Sequence, residues 1–99
     1  MYYQEVKELF EKAKDKEKGK PVANNTRIVK TEKGFGLKLH DTIIVEYFPD
    51  GSFKLNSGGW QTVTTKSRIN EFTPSWIKLN QENKIWYVND ELFKDGMIL

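Results

Sequence analysis

Apolar residues recur at spacings of three and four at the start of the chain, at Tyr2, Tyr3, Val6, Leu9, Phe10 and Ala13. Charged residues fill the gaps: Glu5, Lys7, Glu8, Glu11, Lys12, Lys14 and Asp15. That period draws one apolar stripe along a helix over residues 2–18. Gly19, Lys20 and Pro21 supply its stop, since glycine caps a helix end and proline cannot continue it. A helix of this length is marginal alone in water, so the aromatic stripe needs a partner. The helical unit is expected within residues 1–20.

Beyond Pro21 the period changes to two, and a β-rich body is expected over residues 22–99. Asn24 and Asn25 make a turn, 26–31 a strand, Glu32-Lys33-Gly34 a tight connection and 35–40 its return. Asp41 breaks the run before residues 42–48, whose β-branched and aromatic content favours a strand. Pro49-Asp50-Gly51 is a hairpin turn, with proline setting φ and glycine taking the positive-φ position. Residues 52–56 return from it with Phe53 and Leu55 on one face. Ser57-Gly58-Gly59 then interrupts the sheet, and 60–63 is short and extended. Thr64 or Thr65 caps a short helix over about 64–72, which Thr73-Pro74 ends. A last pair, 76–79 and 84–88, carries Trp76 and Trp86 across from one another, and 97–99 forms a terminal strand.

This order predicts one α+β domain over residues 1–99. In it, the N-terminal helix packs on a mostly antiparallel, strongly curved, barrel-like sheet with one short helix inserted. The expected core is Ile28, Leu37, Leu39, Ile43, Val45, Phe53, Leu55, Ile69, Phe72, Ile77 and Val88.

Composition narrows the chemistry. The 99 residues include no Cys and one His, which removes disulfides, thiol nucleophiles and cysteine metal sites. Aromatics at 13% supply core-building material, so disorder is not expected. No apolar run approaches the roughly 20 residues of a membrane span, and residues 1–20 are too charged for a signal peptide. A soluble, cytoplasmic protein without membrane attachment is the expectation. Net charge is +2, too near neutral for a general polyanion binder. The excess sits in two blocks, Arg27, Lys30, Lys33 and Lys38 against Glu32, and Lys66, Arg68 and Lys78 against Glu71. If the blocks meet, they form a modest positive face; otherwise they solvate separate faces.

Catalytic motifs fail on context. Gly34-Phe35-Gly36 opens no helix and precedes no Gly-Lys-Ser/Thr. His40 has neither a second His nor a ligand-spaced carboxylate, and neither Ser57 nor Ser67 sits in a nucleophile elbow, so His40 reads as structural. Asp41, Asp50, Asp90 and Asp95 lie in turns, where Asp bonds its own backbone. The expectation is no enzyme, no metal and no cofactor. Ser57-Gly58-Gly59 differs, because it leads into Trp60, Thr62, Thr64, Thr65, Lys66, Arg68 and Asn70. A glycine bend, hydroxyls and a helix start bearing Lys and Arg are the parts of a binding site. The plain alternative is a bend, a cap and solvated charges. Those seven residues are the candidate binding site, with the basic strands around Arg27, Lys30 and Lys38 as the second choice.

The segment Leu-Asn-Ser-Gly-Gly-Trp-Gln-Thr-Val-Thr-Thr-Lys-Ser-Arg-Ile-Asn, residues 55–70, resembles the core of a group of small proteins of tailed bacteriophages and other mobile elements. The resemblance extends over residues 22–89, through Asn24, Asn25 and Thr26, Leu39 and His40, Asp50 and Gly51, and Trp86, Tyr87 and Val88. It implies a phage setting. Small phage proteins without catalytic equipment look like inhibitors that bind host machinery, anti-CRISPR proteins among them. The implied partner is a host defence or nucleic-acid-processing protein, with a CRISPR effector the specific case. The alternative is a phage accessory protein that binds nucleic acid directly.

Overall fold

The computed structural model describes all residues, Met1–Leu99. Helix α1 (Tyr3–Glu11) starts where the Tyr2 N–H donates to the Glu5 carboxylate at 3.1 Å. It ends about two turns before the expected position. The Lys16 ammonium folds back onto the carbonyls of Phe10, Glu11 and Ala13, while the Asp15 carboxylate accepts from the N–H groups of Glu17 and Lys18. These local bonds satisfy backbone groups that a continued helix would otherwise have paired. Gly19 then turns the chain at φ +85°, with its Cα so close to Ile28 that a Cβ would lie 2.2 Å from the Ile28 carbonyl oxygen.

That turn delivers a strand the sequence pattern did not predict, β1 (Lys20–Ala23), which pairs antiparallel with β2 (Thr26–Lys30). Pro21 is tolerated because β1 is an edge strand. β3 (Phe35–Leu39), β4 (Thr42–Tyr47), β5 (Phe53–Leu55) and β9 (Met97–Ile98) complete a six-stranded antiparallel sheet in the order β1-β2-β3-β4-β5-β9. The Pro49–Gly51 turn forms as expected, with Gly51 at φ +89°. Hydrogen bonds from the Ser52 hydroxyl and N–H hold the Asp50 carboxyl below the usual carboxylate range.

A second sheet holds β6 (Leu79–Glu82), β7 (Ile85–Val88) and β8 (Glu91–Leu92), in that order. Asn83-Lys84 and Asn89-Asp90 connect them as two-residue turns with both residues at positive φ. The fold is α+β and antiparallel, but no sheet closes. β1 and β9 are free edges of the large sheet, so the barrel-like expectation is corrected. A proline-bearing strand of irregular register at one edge and a two-residue strand at the other leave little to join.

Both helices cover one face of the large sheet. α1 stacks Tyr3 and Phe10 on Phe35, with ring centroids 5.5 and 5.3 Å apart. α2 (Val63–Phe72) is tied by the Tyr47 hydroxyl, which donates to the Phe72 carbonyl at 2.7 Å. Phe35 and Tyr47 are direct cross-strand partners on that face.

One core residue is reassigned. The register slips between Leu37, opposite Val45, and Lys38, opposite Ile43, leaving Ile44 as a bulge. Ile44 and Val45 are therefore both buried, and Ile43, expected in the core, is 38% exposed on the outer face. The two tryptophans are not cross-strand partners either. Because Lys84 belongs to the turn, Trp86 lies opposite Gln81 and packs on Phe93. Trp76 precedes β6, packs edge-on against Phe53 at 5.9 Å and donates to the Tyr2 hydroxyl. No helix is long and apolar enough to cross a membrane.

Candidate functional site

The loop from Asn56 to Thr62 is built on a single carboxylate. The Ser57 N–H and hydroxyl both donate to Asp95 Oδ1 at 2.7 Å, across 38 residues of chain. Asp95, expected to bond its own turn, instead fixes this one. Both glycines have conformational reasons to be there. Gly58 (φ +63°) comes so close to Thr42 that a Cβ would meet its methyl at 2.6 Å, and Gly59 follows at φ +84°. The Gly-Gly pair is thus accounted for by backbone geometry alone.

The loop runs into α2, whose cap is Thr62, before the expected Thr64 or Thr65. Its hydroxyl accepts from the Thr65 N–H at 3.2 Å and lies 3.1 Å from the Thr65 hydroxyl. Thr65 is buried. Trp60 stands 68% exposed and Val63, on the first turn of the helix, 77%. Beside them lies an open cleft of about 530 Å³, between the β3–β4 turn and the start of α2. Leu39, His40, Asp41, Thr42, Ile44 and Ser57 line it on one side, and Trp60, Thr62, Thr64 and Thr65 on the other.

Four of the seven candidate residues therefore share one cleft. The other three turn away from it. Arg68 Nε donates to the Thr26 hydroxyl at 3.1 Å and its Nη1 meets the Glu71 carboxylate at 3.3 Å, tying α2 to β2. Asn70 is exposed but has both ends of its amide engaged by the Leu79 backbone. Lys66 reaches the Gln81 side chain at 3.3 Å.

The sequence model of the Kyanoviridae Gp96 protein family matches residues 4–99. The chain belongs to this phage protein family. The match takes in α1, which lay outside the phage resemblance read from residues 22–89. No curated protein and no solved structure matches the chain.

In this Gp96-family chain the two basic blocks are distributed over different surfaces. Arg27 and Lys38 are direct cross-strand partners on the sheet face opposite the helices. Lys30 is occupied locally, donating to the Thr31 and Gly34 carbonyls with its ammonium 4.9 Å from the Phe35 ring centre. His40, read from sequence as a structural strand-end residue, lies beyond β3 at φ +52° on an exposed turn and lines the Trp60 cleft. Its position follows from a Leu39-His40-Asp41-Thr42 hairpin, a turn the break at Asp41 signalled without showing which side chains it would present. No group of three or more His, Asp or Glu side chains is placed to share a metal ion.

Proposed function

We propose that this phage protein acts without catalysis, binding a host protein through Trp60, Val63 and the adjoining cleft and thereby inhibiting it. The host protein belongs to a defence or nucleic-acid-processing system, with a CRISPR effector the specific case. The observation that carries this reading is the exposure of Trp60 in a loop held at both ends. Ser57 is fixed to Asp95, the Trp60 N–H donates to the Ser57 carbonyl at 3.0 Å, and the Thr62 N–H donates to the Trp60 carbonyl at 2.9 Å. A large aromatic kept in water on an ordered backbone loses little further backbone entropy on association, and Trp is over-represented among the residues that dominate binding energy. Threonine hydroxyls and His40 around the cleft supply polar contacts of the kind found at an interface rim.

The cleft beside Trp60 is lined by no Lys or Arg, which favours a protein partner for this face over a polynucleotide. The test is capture from host lysate by immobilised wild-type chain and by Trp60→Ala, followed by an activity assay of the purified captured protein. The wild type should capture and inhibit one host protein, and Trp60→Ala should bind it at least tenfold more weakly with an unchanged melting temperature. Equal capture by both chains, or capture without inhibition, would overturn the reading.

A further inference from the structure

On the other side of His40 lies a second cleft, of about 420 Å³, lined by Glu17, Lys18, Asn25, Arg27, Val29, Lys38 and His40. It belongs to the face of the large sheet that the helices leave open. Arg27 on β2 and Lys38 on β3 are in direct register there. Side chains in direct register sit about 4.5–5.5 Å apart at Cβ, and like charges so placed destabilise a sheet. No ion pair relieves these two cations. The chain's one salt bridge is Arg68–Glu71, so neither cation has a carboxylate within 4.0 Å. The protein bond made by the Arg27 guanidinium is a long one, to the Gly19 carbonyl at 3.4 Å, and the Lys38 ammonium makes none. A third cation, Lys18, arrives from the α1–β1 loop, and Glu17 is the one carboxylate lining the cleft.

We infer that the Arg27–Lys38 cleft binds a phosphate group, supplied either by a nucleotide or by a polynucleotide backbone. Three cations facing one carboxylate suit an anion carrying more than one charge, and the guanidinium fork matches two phosphate oxygens at once. The ammonium groups add point charges that need no fixed geometry. Asn25 and the exposed His40 turn border the same space, and the His40 N–H fixes that border by donating to the Asn25 carbonyl at 2.8 Å. The inference does not depend on Trp60 or on any host protein.

Backbone amide NMR of the whole chain tests it, with inorganic phosphate, adenosine monophosphate, a fifteen-residue oligothymidylate and a pentaglutamate peptide as probes at matched ionic strength. The phosphate-bearing probes should shift the amides of Lys18, Asn25, Arg27, Lys38 and His40, while those of Val63 and Thr64 stay in place. Tighter binding of the oligonucleotide than of the monophosphate identifies a polynucleotide backbone, and equal binding identifies a nucleotide; either supports the site. Lys38→Gln should weaken binding at least tenfold while leaving the melting temperature unchanged or raised, because it removes a repulsion. Lys38→Arg should retain binding. The inference is overturned if no phosphate probe moves these amides, if pentaglutamate moves them equally, or if Lys38→Gln binds as the wild type does.

Discussion

Asn70 and Leu79 close a ring of two hydrogen bonds: the Asn70 amide nitrogen donates to the Leu79 carbonyl and its oxygen accepts from the Leu79 N–H, both at 2.8 Å. The side chain thereby does for the open edge of β6 what a further strand would do, and it joins α2 to the small sheet.

Asn70→Ala should lower stability by about 1–3 kcal/mol, since it strips partners from a backbone N–H and C=O together. Asn70→Asp keeps the acceptor and should fall between the two. Urea unfolding with a constant slope would show this as a shift in midpoint.

Arg68 and Lys66 should separate in the same assay. Arg68 has a side chain only 20% exposed and ties α2 to Thr26 on β2, so Arg68→Ala should cost about 1–3 kcal/mol. Lys66→Ala, which removes a bond between exposed side chains, should stay within about 0.5 kcal/mol.

The bulge in β4 makes neighbouring isoleucines unequal. Ile44→Ala should destabilise by about 2–5 kcal/mol, the usual range for truncating a buried Ile. Ile43→Ala, on the outer face, should cost far less. Equal losses would mean that the register slip opposite Leu37 and Lys38 is absent.

Tyr47 ties stability to alkaline pH. Burial pushes its phenol well above the ordinary tyrosine range, and the Glu5 carboxylate pushes the same way. In the unfolded chain the phenol loses its proton near pH of about 10, whereas in the fold it keeps it. Folding then requires more bound protons than unfolding, so this contribution is intact below pH of about 10 and declines as pH rises beyond it. Tyr47→Phe should be less stable at neutral pH by about 1–3 kcal/mol, having left the Phe72 carbonyl without its donor. Its stability should nevertheless fall less steeply than the wild type's in urea titrations above pH of about 10.

Consecutive residues determined much of this protein without help. The three-and-four spacing from Tyr3 to Phe10 made α1 and chose its buried stripe. Pro49-Asp50-Gly51 made the β4–β5 hairpin, and alternation in Phe53 and Leu55 set its buried face. Thr73-Pro74 ended α2. These features are legible because dihedral preference and periodicity act over a few neighbouring residues. Tertiary structure decided the rest. Whether Ile43 or Ile44 entered the core depended on pairing with β3, and the pattern Thr-Ile-Ile-Val reads equally well with either inside. Where α1 stopped depended on Lys16 and on how closely Gly19 could approach Ile28. The candidate block from Trp60 to Asn70 divided in the same way: Trp60, Thr62, Thr64 and Thr65 reached a cleft completed by the β3–β4 turn, while Arg68 and Asn70 were drawn to Thr26 and Leu79. Those partners lie 42 and 9 residues away in the chain, and which of them a side chain meets is fixed by packing that no local propensity encodes.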